Sequence, residues 1–528
     1  MSNRELRIAI IEGAGMRAWE VEAVRMLMAV PGVHVVGSCN AAPTSADAPR
    51  ASWSERRFRK LEGSISRNGL LEPSGNGLRT LGIASIRTVE EASCDLVLLL
   101  GDAASSNGHA SAWSFRHADG AASASALPML REWVHGLPHG RFQLIDASTQ
   151  EAIHELCLPV TDDAAECAER AVKTAMRWPA DAARAWIATG SRPRSAKPTA
   201  CKPIPMPGFL ALLRARFAGP RRAAHATASW RDGDWNIGVL HQPMHTLLDA
   251  DGSRNVRWLP NPSKGMARME PFGYLDADGD FNVLYRKCSA SGEDARIARL
   301  RPKPDNILKR SRSMLDSVAD ASYPFTLHFN GTIHAVISDP EHERVLLMKV
   351  NAENDSLTDP LVLVDCALHS PTLFEHEGRW WLLGSSDPEP DALLRGFHSE
   401  RAEGPYREHA WSPLKCDARH ARPAGTPFVH EGQLYRPALD CTTASGPAVW
   451  INRVDVLDPV GFHETPLRNI NGFVATAYGR GVRTISAMGE LTLVDGLRSP
   501  LVAGSKANAR RSQRKRRRPG TSDEDDDA

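Results

Sequence analysis

The chain has 528 residues, enough for two or more domains, and 42% of them are hydrophobic, ample for buried cores. Its 64 Lys and Arg balance 63 Asp and Glu, a formal net charge of +1 that excludes a global pull toward nucleic acid or a membrane surface. Nine scattered cysteines without a CxxC pair exclude a disulfide framework or a zinc ribbon, and no metal site is expected.

Residues 1–190 read as an α/β, doubly wound domain. Arg7 to Ile11 is an apolar strand that ends in Glu12-Gly13-Ala14-Gly15, and Trp19 to Leu27 follows with apolar residues at helical spacing. The glycine turn lacks the third glycine of a dinucleotide fingerprint, so a plain tight turn is the expectation. Val33 to Val36 is a second strand, and residues 41–80 are polar and weakly patterned, as in a loop or a partly disordered insertion. Asp95 to Gly101 (DLVLLLG) is a continuous apolar run of the kind that marks a buried parallel strand, and residues 163–187 carry Ala and Val on one helical face.

Residues 191–225 shift to Pro, Arg and Ala and read as a linker with one short amphipathic segment, Phe209 to Phe217. From there to residue 502 the pattern becomes short strands between Gly, Asp and Pro turns. A phrase of proline, strand, turn and strand recurs at Pro271, Pro324, Pro371 and Pro427. Its period of about 50 residues suits a β-propeller, and two further strand pairs, at Trp230–Leu240 and Arg483–Asp495, make five blades if the last closes on the first. The DADGD run at 276–280 lacks the distal Glu of a calcium loop and is expected to be a hairpin turn, while the adjacent Trp380 and Trp381 must face opposite sides of a strand. Residues 503–528 hold a basic cluster and then acids without apolar residues; that tail is expected to be disordered, and nucleic acid is not an expected partner.

The phrases WNIGVL, SYPF, SPTLFEHEGRWWLL and ARPAGTPFVHEGQLYRPALDC resemble a five-bladed domain at the amino end of plant glucosamine inositolphosphorylceramide transferase, itself similar to glycoside hydrolase family 43. The resemblance implies a sugar-related module with its site at the hub. Relatives carry Asp before the proline of the first and third phrases; here those positions are Glu270 and Ser370. A hydrolase of this kind needs an acid and a base, and Ser carries no charge. Asp339 and Glu341 lie near another acidic position of the relatives, in an altered context. Further substrate-binding candidates are His369, Arg422, Arg436, Asp440 and Asn452. Arginines among them offer bidentate donors to a sugar or phosphate, or else tie blades together by ion pairs.

The opening strand, DLVLLLG and WSFRHADG at 113–120 resemble the formyltransferase fold. That family's Asn-x-His pair falls on Ser114 and Arg116 here, with His117 the neighbouring imidazole and Asp146 the nearest candidate for the downstream acid. Formyl-tetrahydrofolate is implied as a donor only if these residues are active. Together these features predict a protein of surface-glycan or glycolipid biosynthesis, transferase-like, acting on or binding a nucleotide- or lipid-linked sugar. A non-catalytic carbohydrate-binding or scaffold protein is the alternative, and a family 43-like glycosidase a weaker one. No apolar run reaches the roughly 20 residues of a membrane span, and the polar start MSNRELRIAIIEG carries no long apolar signal core, so a cytoplasmic location is expected.

Overall fold

Residues 5–41, 52–66, 69–74, 77–103, 111–117, 127–192, 203–217, 233–250, 254–276, 278–301, 312–315, 321–351, 354–442, 447–473 and 476–498 are described by a computed structural model. The charged tail from 503 onward and most of the expected linker lie outside them.

The amino-terminal part begins with β1 (Leu6–Glu12), α1 (Ala18–Met28) and β2 (Val33–Asn40), followed by α2 (Trp53–Ile65), β3 (Leu96–Leu100) and β4 (Ala112–His117). β1 pairs in parallel with both β2 and β3, and β3 in parallel with β4. After α3 (Leu130–His135), β5 (His139–Asp146) and β6 (Glu151–Pro159) extend the sheet antiparallel, and α4 (Ala164–Ala175) and α5 (Trp178–Thr189) close it. All five residues of β3 are buried, as its unbroken apolar run requires.

Among the described residues the α-helices lie on one face of this sheet. Ile8, Ile10, Leu98 and Leu100 pack with residues of α1, α2, α4 and α5, whereas Ala9, Ile11, Val97 and Leu99 pack with Ile86 and Val89, outside any α-helix. The 41–80 stretch, expected as a loop, contains α2. Its overlooked start signal is Ser52 and Glu55, which exchange side-chain and backbone hydrogen bonds as a capping box, and Phe58 anchors the helix in the core. The amphipathic piece of the expected linker is α6 (Phe209–Phe217), which is tied to this part rather than suspended: Ala211 and Leu212 pack on its core, and Phe209 meets Trp53 at 5.6 Å.

The remaining strands form the propeller. β7 (Trp235–Leu240) and β8 (Val256–Trp258) come first, then β9 (Met266–Leu275), β10 (Phe281–Ser289), β11 (Arg296–Leu300) and β12 (Arg312–Leu315). The next group is β13 (Phe325–Phe329), β14 (Thr332–Asp339), β15 (Arg344–Asn351) and β16 (Ser356–Val364). β17 (His369–His376), β18 (Arg379–Ser385), β19 (Leu393–Ser399), β20 (Arg407–Glu408) and β21 (Lys415–Asp417) follow. Last come β22 (Phe428–His430), β23 (Gln433–Asp440), β24 (Ala448–Asp458), β25 (Gly461–Ile470), β26 (Ile485–Met488) and β27 (Leu491–Leu497).

Four groups are separate four-stranded sheets: β9–β12, β13–β16, β22–β25, and β26-β27-β7-β8, in which the last strands close on the first. Five separate blades are not what the sheets form. β17–β19 continue through β21 into the amino-terminal strands, because Cys416 and Asp417 pair in parallel with Leu156 and Cys157 of β6. One sheet of 11 strands therefore crosses the expected domain boundary. Arg170 of α4 adds a two-pronged ion pair to Glu389, at 2.9 and 2.7 Å. The DADGD run is a turn: the Asp276 backbone N–H donates to the Asp280 carbonyl at 3.1 Å, and Asp276 Oδ1 accepts from the Asp280 N–H at 2.9 Å. Trp381 is 2% exposed and Trp380 lies on Phe329 at 5.8 Å, on opposite sides of β18 as alternation demands.

Candidate functional site

Glu270, Tyr323 and Ser370 each precede a proline, where extended backbone is the norm, yet all three hold left-handed φ values of 56°, 54° and 53°. Each costs on the order of 1–3 kcal/mol, so the surrounding fold must enforce it. The effect is to swing these residues inward, where they meet the Gly425 turn before β22 and the Arg483–Thr484 step before β26.

Glu270 is the centre of this hub and is 2% exposed. Its Oε1 pairs with Arg483 Nη2 at 2.9 Å and its Oε2 accepts the Tyr323 N–H at 2.8 Å. Burial alone would push its carboxyl up, but Arg483, Arg286 and Arg422 together hold it below the usual range. Asp495 accepts backbone N–H groups from Glu270, Arg483 and Thr484 at 2.9, 2.9 and 2.7 Å, yet burial still pushes it up to about 6. Tyr323 packs on Phe272, its hydroxyl accepts the Gly425 N–H at 2.6 Å, and it lies 3.3 Å from the Thr372 hydroxyl. Gly425 is obligatory here, since a Cβ would fall 1.6 Å from the Ile485 carbonyl oxygen at a φ of +142°.

Ser370 and Arg422 meet as a pair. Arg422 donates from Nε to Ser370 Oγ at 3.3 Å and from Nη1 to Asp391 at 2.8 Å. At this position a hydroxyl receives a guanidinium. His369 sits nearby, 36% exposed, with Nε2 4.0 Å from Asp387. Asp339 is bound by Arg344 and His342 at the β14–β15 turn. Glu270, Asp495, Asp391 and Asp339 are thus each engaged by arginine, histidine or backbone amides.

The other substrate-binding candidates are elsewhere. Arg436 of β23 is 1% exposed and holds Glu464 of β25 through Nε and Nη2 at 2.9 and 2.6 Å. Asn452 of β24 donates to the same carboxylate at 3.2 Å, and Asp440 accepts the Trp450 indole N–H at 3.1 Å. These three residues brace the side of the propeller that faces β6. Arg436 and Asp440 share the 421–441 phrase with Arg422, but they lie on β23, where Arg436 stands opposite Asn452 of β24, whereas Arg422 precedes β22.

In the amino-terminal part, strand alternation also divides the expected constellation. Trp113, Phe115 and His117 are buried along one face of β4, while Ser114 and Arg116 are half-buried along the other. His117 stacks edge-on to Phe142 at 5.4 Å and Arg116 donates to Gln150 at 2.9 Å. Asp146 pairs with Trp113 and His117 with Phe142, so acid and imidazole are four residues apart along the ladder, about 13 Å. Asp146 accepts instead from the Ser148 N–H at 2.9 Å. No acid–imidazole pair forms between Asp146 and His117. Sequence reasoning missed Glu20, 2% exposed on α1, which accepts the Gly101 N–H beyond β3 at 2.6 Å and whose carboxyl burial pushes up to about 7. Among the described residues no cluster of three or more His, Cys, Asp or Glu is arranged to hold a metal.

Residues 269–476 match the family model described as glucosamine inositolphosphorylceramide transferase 1, N-terminal, a span that contains Glu270, Ser370 and Arg422. The chain is 28% identical over 159 residues to glucosamine inositolphosphorylceramide transferase 1 of Oryza sativa subsp. japonica, covering 29% of this chain and 21% of that protein. It is 28% identical over 259 residues to the Arabidopsis thaliana protein of the same name, covering 44% and 34%. The chain thus spans between a fifth and about a third of the length of these curated relatives. Among solved structures, the exo-β-1,3-galactanase of Phanerochaete chrysosporium with galactose overlaps at a TM-score of 0.32 and 12% identity, over 39% of this chain and 52% of that one. A thermostable family-43 glycoside hydrolase overlaps at 0.31 and 14%, over 40% and 77%.

Proposed function

We propose that this chain is a transferase-like protein of surface-glycan or glycolipid biosynthesis whose propeller hub holds a nucleotide- or lipid-linked sugar. The observation that carries this is a hub in which guanidinium groups surround the residues that precede the prolines. Ser370 takes Arg422 as its partner, and Glu270 is held by Arg483 with Arg286 and Arg422 close by. Such a hub favours anionic sugar derivatives over hydrolysis of neutral ones. The similarity to plant glucosamine inositolphosphorylceramide transferases over 269–476 supports a place in glycolipid assembly.

In this reading β17–β21 serve as a fifth blade of a propeller at 226–502, and residues 1–190 are a formyltransferase-like scaffold. A cytoplasmic location is part of this proposal. A non-catalytic carbohydrate-binding protein is the second reading, favoured by the opposed faces of His117 and Ser114 on β4.

Saturation-transfer NMR with UDP-N-acetylglucosamine, UDP-glucose and GDP-mannose tests the hub, with Arg422→Met expected to abolish whichever signal appears. Silence on all three would sink it. Incubation with formyl-tetrahydrofolate and amino-sugar nucleotides separates the two readings, since formyl transfer lost in His117→Ala would reinstate the catalytic amino-terminal domain.

A further inference from the structure

Between the amino-terminal sheet and the propeller lies a cavity of about 850 Å³ that belongs to neither expected site. One wall is His154, Glu155 and Cys157 of β6 with Trp178 of α5; the other is the Trp411–His420 segment, Trp450 of β24 and residues 460–464 at the start of β25. The volume is in the range of real ligand sites, about 300–1,000 Å³. Its walls are joined rigidly, by the β6–β21 pairing and by the Ala418 N–H donating to the Cys157 carbonyl at 2.9 Å. A ligand would therefore meet a formed site rather than order a loose one.

Three features define what fits. First, the walls are aromatic. His154 stacks on Trp178 at 5.9 Å and lies 6.1 Å from Trp411, and Trp450 is fixed edge-on to His420 at 5.0 Å, with its indole N–H held by Asp440. Trp411 and Trp450 are only part-buried, so their rings are available to a second flat surface. Second, the cations are already neutralised. Lys415 lies 2.7 Å from Glu464, which Arg436 also holds, and Arg419 pairs with Asp417 at 3.0 and 2.8 Å. The lining sets Lys415 and Arg419 against Glu155, Asp417 and Glu464, so it offers a phosphate no surplus positive charge. Third, neutral hydrogen-bonding capacity is left over: His154 Nε2 and His420 Nδ1 are buried and have no partner. Such orphaned atoms cost about 1–3 kcal/mol each and are conspicuous in the lining of one cavity. Burial pushes both imidazoles down, to about 4 and about 3, so they stay neutral near pH 7.

We propose that this interdomain cavity is a second, separate binding site that takes an uncharged oligosaccharide, with sugar rings lying against Trp411 and Trp450. Asp440, Asn452 and Arg436 are positioning residues for it: they hold Trp450 and Glu464 in place and touch no ligand. The site does not depend on the hub reading, because its lining shares no residue with Glu270, Ser370 or Arg422.

Isothermal titration of the full chain with maltotriose, cellotriose and mannotriose tests the site. At least one should bind, weakened about tenfold or more in Trp411→Ala, which corresponds to about 1.4 kcal/mol. Val460→Trp, which fills the exposed rim without touching the ion pairs, should weaken it likewise and guards against a folding defect in the first variant. Arg422→Met should leave this binding unchanged, so failure of the hub and failure of the cavity are told apart. Binding of no neutral trisaccharide, binding insensitive to both cavity variants, or binding of UMP in their place would overturn the proposal.

Discussion

The hub and the interdomain cavity are both buried and both rich in ionisable groups, but they handle charge in opposite ways. At the hub several guanidinium groups crowd one carboxylate, and each acid is fixed by an arginine or by backbone amides. In the cavity the ion pairs close on themselves at the floor, and what faces the space is indole and neutral imidazole. The lesson is that a dense ion-pair network does not mark a charged-ligand site. Under the two proposals, a hub where three arginines converge on one carboxylate would take anions, whereas a cavity whose charges cancel would take hydroxyls and flat apolar faces.

Three changes would break or sharpen that contrast. The largest effect is expected from Arg436→Leu, which takes the main partner from Glu464, a carboxylate that Arg436 and Lys415 hold down at about 2 against its burial. Breaking a buried pair in this way costs about 3–5 kcal/mol. Urea denaturation should show the loss; a change within error would mean the cavity floor is far wetter than described.

Gly425→Ala comes next. Its Cβ would collide with the Ile485 carbonyl and would have to adopt the glycine-only φ of +142°, so a loss of about 3 kcal/mol in the same measurement is expected. The hub would then lose its sugar signal while the cavity kept its own. Simultaneous loss of both would mean that the two regions are not independent.

The smallest is a pH effect. His154 titrates at about 4 in the folded protein against an ordinary value of 6.5. Below pH 6.5 the unfolded chain takes up a proton that the folded protein refuses until about pH 4, so stability falls as pH drops through that window. His154→Phe keeps the stack on Trp178 and removes the proton. The stability difference between parent and variant should shift in the variant's favour by on the order of 2 kcal/mol from pH 7 to pH 4. A flat difference would mean that His154 is solvated.

Much of the architecture was legible in the chain. The recurrent Pro-strand-turn phrases foretold β9, β13, β17 and β22 and their hairpin partners, and the apolar run at 96–100 foretold a buried parallel strand, because each is a local pattern with period two or none. The helix at 53–65 was readable too, from Ser52 and Glu55, but its polar surface masked the capping signal.

What sequence alone determined, then, is a strand-rich propeller, since hydrophobic alternation and turn chemistry act over a few neighbouring residues. Tertiary structure decided everything that depends on pairs distant in the chain. It swung Glu270, Tyr323 and Ser370 inward and ran one sheet from β2 through β6 into β17–β21. It also brought His154 and Trp178 against Trp411 and His420. Those juxtapositions arise from packing and strand register, which no local pattern encodes.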